Sequence, residues 1–153
     1  MPTGVITVSD TRTRETDTGG ALAADLLAGA GHPVPVREIV KDDRSEIAAA
    51  LRSALARDDV GAVVLTGGTG ISPRDVTPEA VAPLLERVLP GFGELFRALS
   101  YAEIGSAALL SRALAGVASG KPVFVLPGSR AGVRLALEKL ILPELGHLAA
   151  EAS

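Results

Sequence analysis

The chain has 153 residues, 47% of them apolar, which is enough for one well-covered core and too little for two domains of ordinary size. A net charge of -3, a pI near 5.4 and only 3% aromatic residues argue against a nucleic-acid binder, which would present a basic face and stacking rings. The absence of cysteine excludes disulfides and thiolate sites, and two histidines, His32 and His147, exclude a histidine-rich zinc site.

No apolar run approaches the ~20 residues of a membrane span, and the start, Met1-Pro2-Thr3-Gly4, has neither a basic segment nor a long apolar one. The expectation is a cytoplasmic protein of one domain over residues 1–153, without membrane or nucleic-acid partners.

In chain order, Gly4-Val5-Ile6-Thr7-Val8 reads as a buried strand ending in the polar pair Ser9-Asp10. After Thr18-Gly19-Gly20, the spacing of Leu22, Leu26 and Ala30 predicts a helix closed by Gly29 and Gly31. A second strand passes through Val34, Val36 and Ile39. Ile47, Leu51 and Leu55 then mark an amphipathic helix over Ser45 to Arg57. Gly61 to Leu65 is a third strand, running directly into Thr66-Gly67-Gly68-Thr69-Gly70.

Next, Thr77-Pro78-Glu79 has the character of a helix start, with Thr77 as N-cap, and predicts a helix from Pro78 to Val88 kinked at Pro83. Pro90-Gly91 reads as a break, followed by a helix from Gly93 to Ile104. Two apolar runs between Leu110 and Leu126 flank the turn Ser119-Gly120 and predict a β-hairpin. Val133, Leu137, Leu140 and Ile141 mark a last helix, bent or broken at Pro143. The alternation predicts a three-layer α/β/α domain around a mainly parallel sheet with one antiparallel hairpin strand.

Such sheets bind ligands outside the carboxyl ends of their strands. Four loops belong there: Ser9-Asp10, Lys41-Asp42-Asp43, Thr66 to Asp75, and Pro127-Gly128-Ser129. Gly67, Gly68 and Gly70 lack the Cβ atoms that keep a ligand from the backbone, and Thr66 and Thr69 add hydroxyls. The spacing is neither that of a P-loop nor that of a dinucleotide fingerprint. On composition alone, an anion cradle and an empty glycine turn stand level.

The continuation supplies charge: Arg74 suits a phosphate, and Asp75 suits Mg²⁺. The plainer reading makes Asp75 a helix cap and Arg74 a solvated charge. Asp42 or Asp43 could supply a second carboxylate, although Asp-Asp before a helix usually caps it. Asp58-Asp59 belongs at the opposite end of the sheet. His32 and His147 read as surface residues, and Phe92, Phe96 and Tyr101 as core or subunit contacts.

Thr66-Gly67-Gly68-Thr69-Gly70 followed by Arg74-Asp75-Val76-Thr77-Pro78-Glu79 resembles the signature of the MoaB/MogA family of molybdenum-cofactor biosynthesis, shared with the related domains of gephyrin. Ser9-Asp10, Pro90-Gly91-Phe92-Gly93-Glu94, Ser111-Arg112 and Pro127-Gly128-Ser129 agree with it. Gly91 to Arg97, Glu103-Ile104-Gly105 and Ser111-Arg112-Ala113 resemble the MoaB branch more than MogA.

The resemblance implies a molybdopterin adenylyltransferase that takes ATP and molybdopterin as substrates with Mg²⁺ as cofactor. It also implies catalytic and metal-binding roles for Asp42 and Asp75. Ligand contacts would come from Ser9, Asp10, Thr66, Gly67, Gly68, Thr69, Gly70, Arg74, Ser111, Arg112, Pro127, Gly128 and Ser129. A homotrimer, open to stacking as a hexamer, is implied as well, together with contacts to other proteins of the pathway. Two alternatives stand beside it: a non-catalytic pterin- or nucleotide-binding scaffold or carrier, and an unrelated phosphosugar or nucleotide enzyme on a similar fold.

Overall fold

A computed structural model describes residues 1–153. Six strands form one sheet: β1 (Thr3–Val8), β2 (Arg37–Val40), β3 (Ala62–Thr66), β4 (Arg87–Val88), β5 (Leu114–Ala118) and β6 (Lys121–Leu126). Their order is β2-β1-β3-β6-β5-β4. The first four in that order are parallel, and β5 is antiparallel to both β6 and β4. Six helices cover the sheet: α1 (Thr18–Gly29), α2 (Arg44–Leu55), α3 (Thr77–Val81), α4 (Pro90–Ile104), α5 (Arg130–Ala136) and α6 (Leu142–Ala152).

Every residue of β1 and of β3 is buried, as a parallel strand covered on both faces requires. Alternate side chains enter different cores. Val5, Val64 and Phe124 pack with α1, α4, α5 and α6, whereas Ile6, Val63, Leu65 and Val125 pack with α2 and α3. Phe92 and Phe96 of α4 join the first core; Tyr101 does not, being 64% exposed. No helix is long and apolar enough to cross a membrane.

The expected helix from Pro78 to Val88 is corrected. α3 ends at Val81, a 3₁₀ turn covers Ala82–Leu84, and Arg87–Val88 is the edge strand β4, with Val88 opposite Gly116. Proline at position 83 cannot continue the ladder, and pairing with β5 takes the chain onward. Pro90 opens α4 where its missing N–H removes no helical bond, so the expected break is a helix start.

The predicted Ser45 to Arg57 helix runs from Arg44 to Leu55. Leu110 closes a 3₁₀ segment over Gly105–Leu110, and the hairpin begins only at Leu114. Its turn holds Ser119 and Gly120 at φ 53° and 70°, a conformation that matches the twist of paired strands. Before Pro143 a π turn over Leu137–Ile141 absorbs the misfit, so the chain continues as α6.

Candidate active site at the strand ends

At the carboxyl edge of the parallel strands Val8 pairs with Val40, and Thr66 pairs with both Thr7 and Leu126, so the loops that follow converge. Beside α1 they enclose a polar pocket of about 310 Å³, lined by Ser9, Arg12, Thr18, Thr66, Gly67, Gly128 and Ser129 among others. Beneath it Asp17, 3% exposed, is fully engaged. Its Oδ1 caps α1 by accepting from the Gly20 N–H (2.9 Å), and Oδ2 accepts from Thr7 Oγ1 (2.7 Å) and Arg37 Nη2 (3.3 Å). Gly67 has φ 97°, and a side chain there would strike the Val8 carbonyl.

On the other side of the same loop stand the carboxylates. Gly68 has φ 70°, and a Cβ on it would collide with the Thr77 hydroxyl and lie 3.3 Å from Asp42 Oδ1. A Cβ on Gly70 would lie 2.7 Å from Asp75 Oδ2. Asp42 and Asp75 therefore both border the glycine loop. Asp10 accepts two arms of Arg74, Nε at 3.0 Å and Nη2 at 2.9 Å, as well as the Asp42 N–H at 3.1 Å.

Arg74 holds the Asp10 carboxyl below its usual range. Burial raises that of Asp42, and the charges of Asp10 and Asp75 push the same way. Asp43 is separate: it caps α2 by accepting from the Glu46 N–H (2.9 Å).

Ser111 and Arg112 lie behind the loop, outside the polar pocket. The Arg112 N–H donates to the Thr69 carbonyl (2.9 Å), its Nε to that of Gly70 (2.9 Å), its Nη2 to that of Asp75 (2.8 Å) and its Nη1 to Glu79. Ser111 Oγ is buried without a partner. The Pro127 ring would lie 3.2 Å from a Cβ on Gly132, and Ser129 Oγ caps α5 by accepting from the Gly132 N–H (3.1 Å). Thr77 is the first residue of α3 and not its side-chain cap: its hydroxyl donates instead to the Gly67 carbonyl (2.8 Å).

The expected site residues thus divide into a pocket group, a carboxylate group and a group behind the loop. Sequence reasoning missed Thr7, Arg12, Asp17, Arg37 and Glu79. Asp17 before Thr18-Gly19-Gly20 carries an N-cap signal that could have found it; Thr7 and Arg37 carry none.

An open, mainly parallel sheet with a polar pocket and adjoining carboxylates at its strand ends defines an α/β ligand-binding domain of the three-layer class. Residues 4–147 match the family described as "Probable molybdopterin binding domain". The chain belongs to this family, that of the MoaB and MogA proteins of molybdenum cofactor biosynthesis. Molybdenum cofactor biosynthesis protein B of Bacillus anthracis is 55% identical over 148 residues, 96% of this chain and 88% of its own length. A crystal structure of a molybdenum cofactor biosynthesis protein B is 53% identical, with TM-score 0.96 over 99% of this chain and 95% of its own. The tungsten cofactor synthesizing protein MoaB from Pyrococcus furiosus is 40% identical, with TM-score 0.89 over 99% and 96%.

Proposed function

We propose that the chain is a molybdopterin adenylyltransferase: the terminal phosphate of molybdopterin attacks the α-phosphorus of ATP, and pyrophosphate leaves. The observation that carries this reading is the placing of Asp42 and Asp75 beside one glycine loop whose other side opens into the polar pocket.

The pocket suits the phosphate-bearing end of the pterin. Ser9, Thr66 and Ser129 offer hydroxyls, Gly67 and Gly128 bring the backbone close, and Arg12 offers a cation. Arg74, swung from Asp10, would reach the triphosphate. The attacking phosphate oxygen is already ionised, so no side chain needs to remove a proton or form a covalent intermediate. Catalysis then rests on alignment and charge neutralisation.

The carboxylates fit Mg²⁺ chemically, because Asp42 stands among like charges that a cation would relieve. No three acidic or histidine side chains form a full cage, so water and substrate phosphates would complete the coordination, as is usual for this ion. Bound there, Mg²⁺ would neutralise charge developing on the phosphates.

The same lack of a full cage favours the second reading, a non-catalytic scaffold or carrier of molybdopterin or nucleotide. Incubation with molybdopterin, ATP and Mg²⁺ separates the two. Adenylylated pterin is the expected product, and its absence would leave the scaffold. The proposed setting is the cytoplasm, among other proteins of the pathway, as a homotrimer open to stacking as a hexamer. Exposed Leu95, Tyr101 and Ile104 on α4 supply apolar contact surface. Sedimentation should give a trimer or hexamer at micromolar concentration; a monomer would contradict it.

A further inference from the structure

The loop between β3 and α3 leaves Ile71, Ser72, Pro73 and Arg74 in solvent, yet it carries Asp75. Thr77 ties its base, the hydroxyl donating to the Gly67 carbonyl (2.8 Å) and the N–H to that of Gly68 (3.1 Å). Asp75 closes its tip. The Ser72 N–H donates to Asp75 Oδ2 (3.0 Å), and the Asp75 N–H donates to the Ser72 carbonyl (3.0 Å).

Between base and tip, the carbonyls of Gly70 and Asp75 accept from no backbone N–H. One side chain meets both. Arg112 donates from Nε to Gly70 (2.9 Å) and from Nη2 to Asp75 (2.8 Å), while Nη1 pairs with Glu79 of α3. Three acceptors, each met by a different guanidinium nitrogen, use the reach of the fork, and a single lysine ammonium on its flexible stem cannot reproduce it. The backbone that carries Arg112 is itself held, because Arg97 Nη1 donates to the carbonyls of Ser111 (3.4 Å) and Ala113 (3.0 Å) on either side.

We propose that Arg112 is a positioning residue: supported by Glu79, it holds the Gly70–Asp75 bend in the shape that places the Asp75 carboxylate beside the glycine loop. Its importance for catalysis rests on the reading of Asp42 and Asp75 given above. The bend itself does not. The Asp75 carboxylate takes part in the turn through Ser72, so its position follows the shape of the loop and not a free choice of rotamer. Without the fork, the two carbonyls would turn toward water and the bend would open. Three of its five N–H groups are committed to these acceptors.

Two variants test this, Arg112→Lys and Glu79→Gln, with the second as the milder change should the first fail to fold. Amide exchange at Ser72 and Asp75 is compared with that at Val64 and Val125 in the central strands. Adenylyl transfer is followed as kcat and as KM for molybdopterin. In Arg112→Lys, exchange at Ser72 and Asp75 is expected to rise about tenfold or more with the central strands unchanged. In parallel, kcat should fall about tenfold or more while KM stays within about threefold. Glu79→Gln should give the same pattern at smaller size.

Unchanged exchange in both variants overturns the proposal, as does normal kcat in a variant whose loop has loosened. A raised KM with kcat intact also overturns it, since that marks Arg112 as a ligand contact. Faster exchange in a protein whose wild type transfers no AMP upholds the clamp and sinks the adenylyltransferase reading instead.

Discussion

The polar pocket beside α1 and the carboxylate cluster over Gly68 share one loop, but their charges are settled by different means. Under the pocket, Asp17 is buried and paired with Arg37, Thr7 and the Gly20 N–H by folding alone. In the cluster, Asp42 carries a raised pKa among like charges, and Arg74, 66% exposed, holds only Asp10. Folding pairs the charges of the first region, and on the proposed reading a metal and substrate phosphates complete the second. A substitution under the pocket should therefore damage stability, whereas one in the cluster should damage chemistry and spare or relieve the fold.

The largest effect on stability is expected for Asp17→Ala, which strands the mostly buried Arg37 and the Thr7 hydroxyl. It should cost about 3–5 kcal/mol in denaturant unfolding and lower Tm by about 10 °C. A cost below about 1 kcal/mol would erase the contrast between the regions.

A smaller effect of opposite sign is expected for Asp42→Asn, which should leave stability unchanged or raise it by about 0.5 kcal/mol at pH 7. The sign follows from the raised folded pKa of Asp42. The wild type carries its full penalty above that value and loses it as pH falls through the folded pKa toward the ordinary 3.8. The gap between variant and wild type should close over that acid range in parallel urea titrations. A gap that widens on acidification would contradict the account.

The smallest effect belongs to Glu79, whose carboxyl Arg112 holds below its ordinary value. Its contribution is present above the ordinary glutamate value and is lost as pH falls through the lower folded one. Both partners are more than a third exposed, so screening limits it to a few tenths of a kcal/mol, roughly. Comparing acid unfolding of Glu79→Gln and wild type would measure it.

The legible parts of the fold are those whose sequence pattern and tertiary setting agree. β1 and β3 each carry a β-branched apolar stretch, Val5-Ile6 and Val63-Val64, inside a strand buried on both faces, and Ser119-Gly120 can take the positive φ its turn requires. From Val81 to Val88 they disagree. Val81, Leu84, Leu85 and Val88 have helical spacing, but pairing of Arg87 with Val117 draws the end into the sheet.

In the site, the glycine loop and its acidic neighbours could be read because their residue types carry the signal locally. The supports beneath them could not. Asp17 meets Arg37 only because β1 pairs with β2, and Asp10 meets Arg74 across 64 positions of chain. The bonds of Arg112 to the Gly70 and Asp75 carbonyls and to Glu79 likewise join segments more than 30 positions apart.

The measurement that bears most on the central claim separates binding from transfer in Asp75→Asn, Asp42→Asn and the double variant. Molybdopterin affinity is read by calorimetry and adenylylated product by chromatography. Each single variant should bind the pterin within about threefold of wild type yet lose at least about a hundredfold in adenylyl transfer. The double variant should be little worse than either, because both carboxylates would serve one metal. Normal turnover in both single variants, or no product from the wild type, would contradict the account.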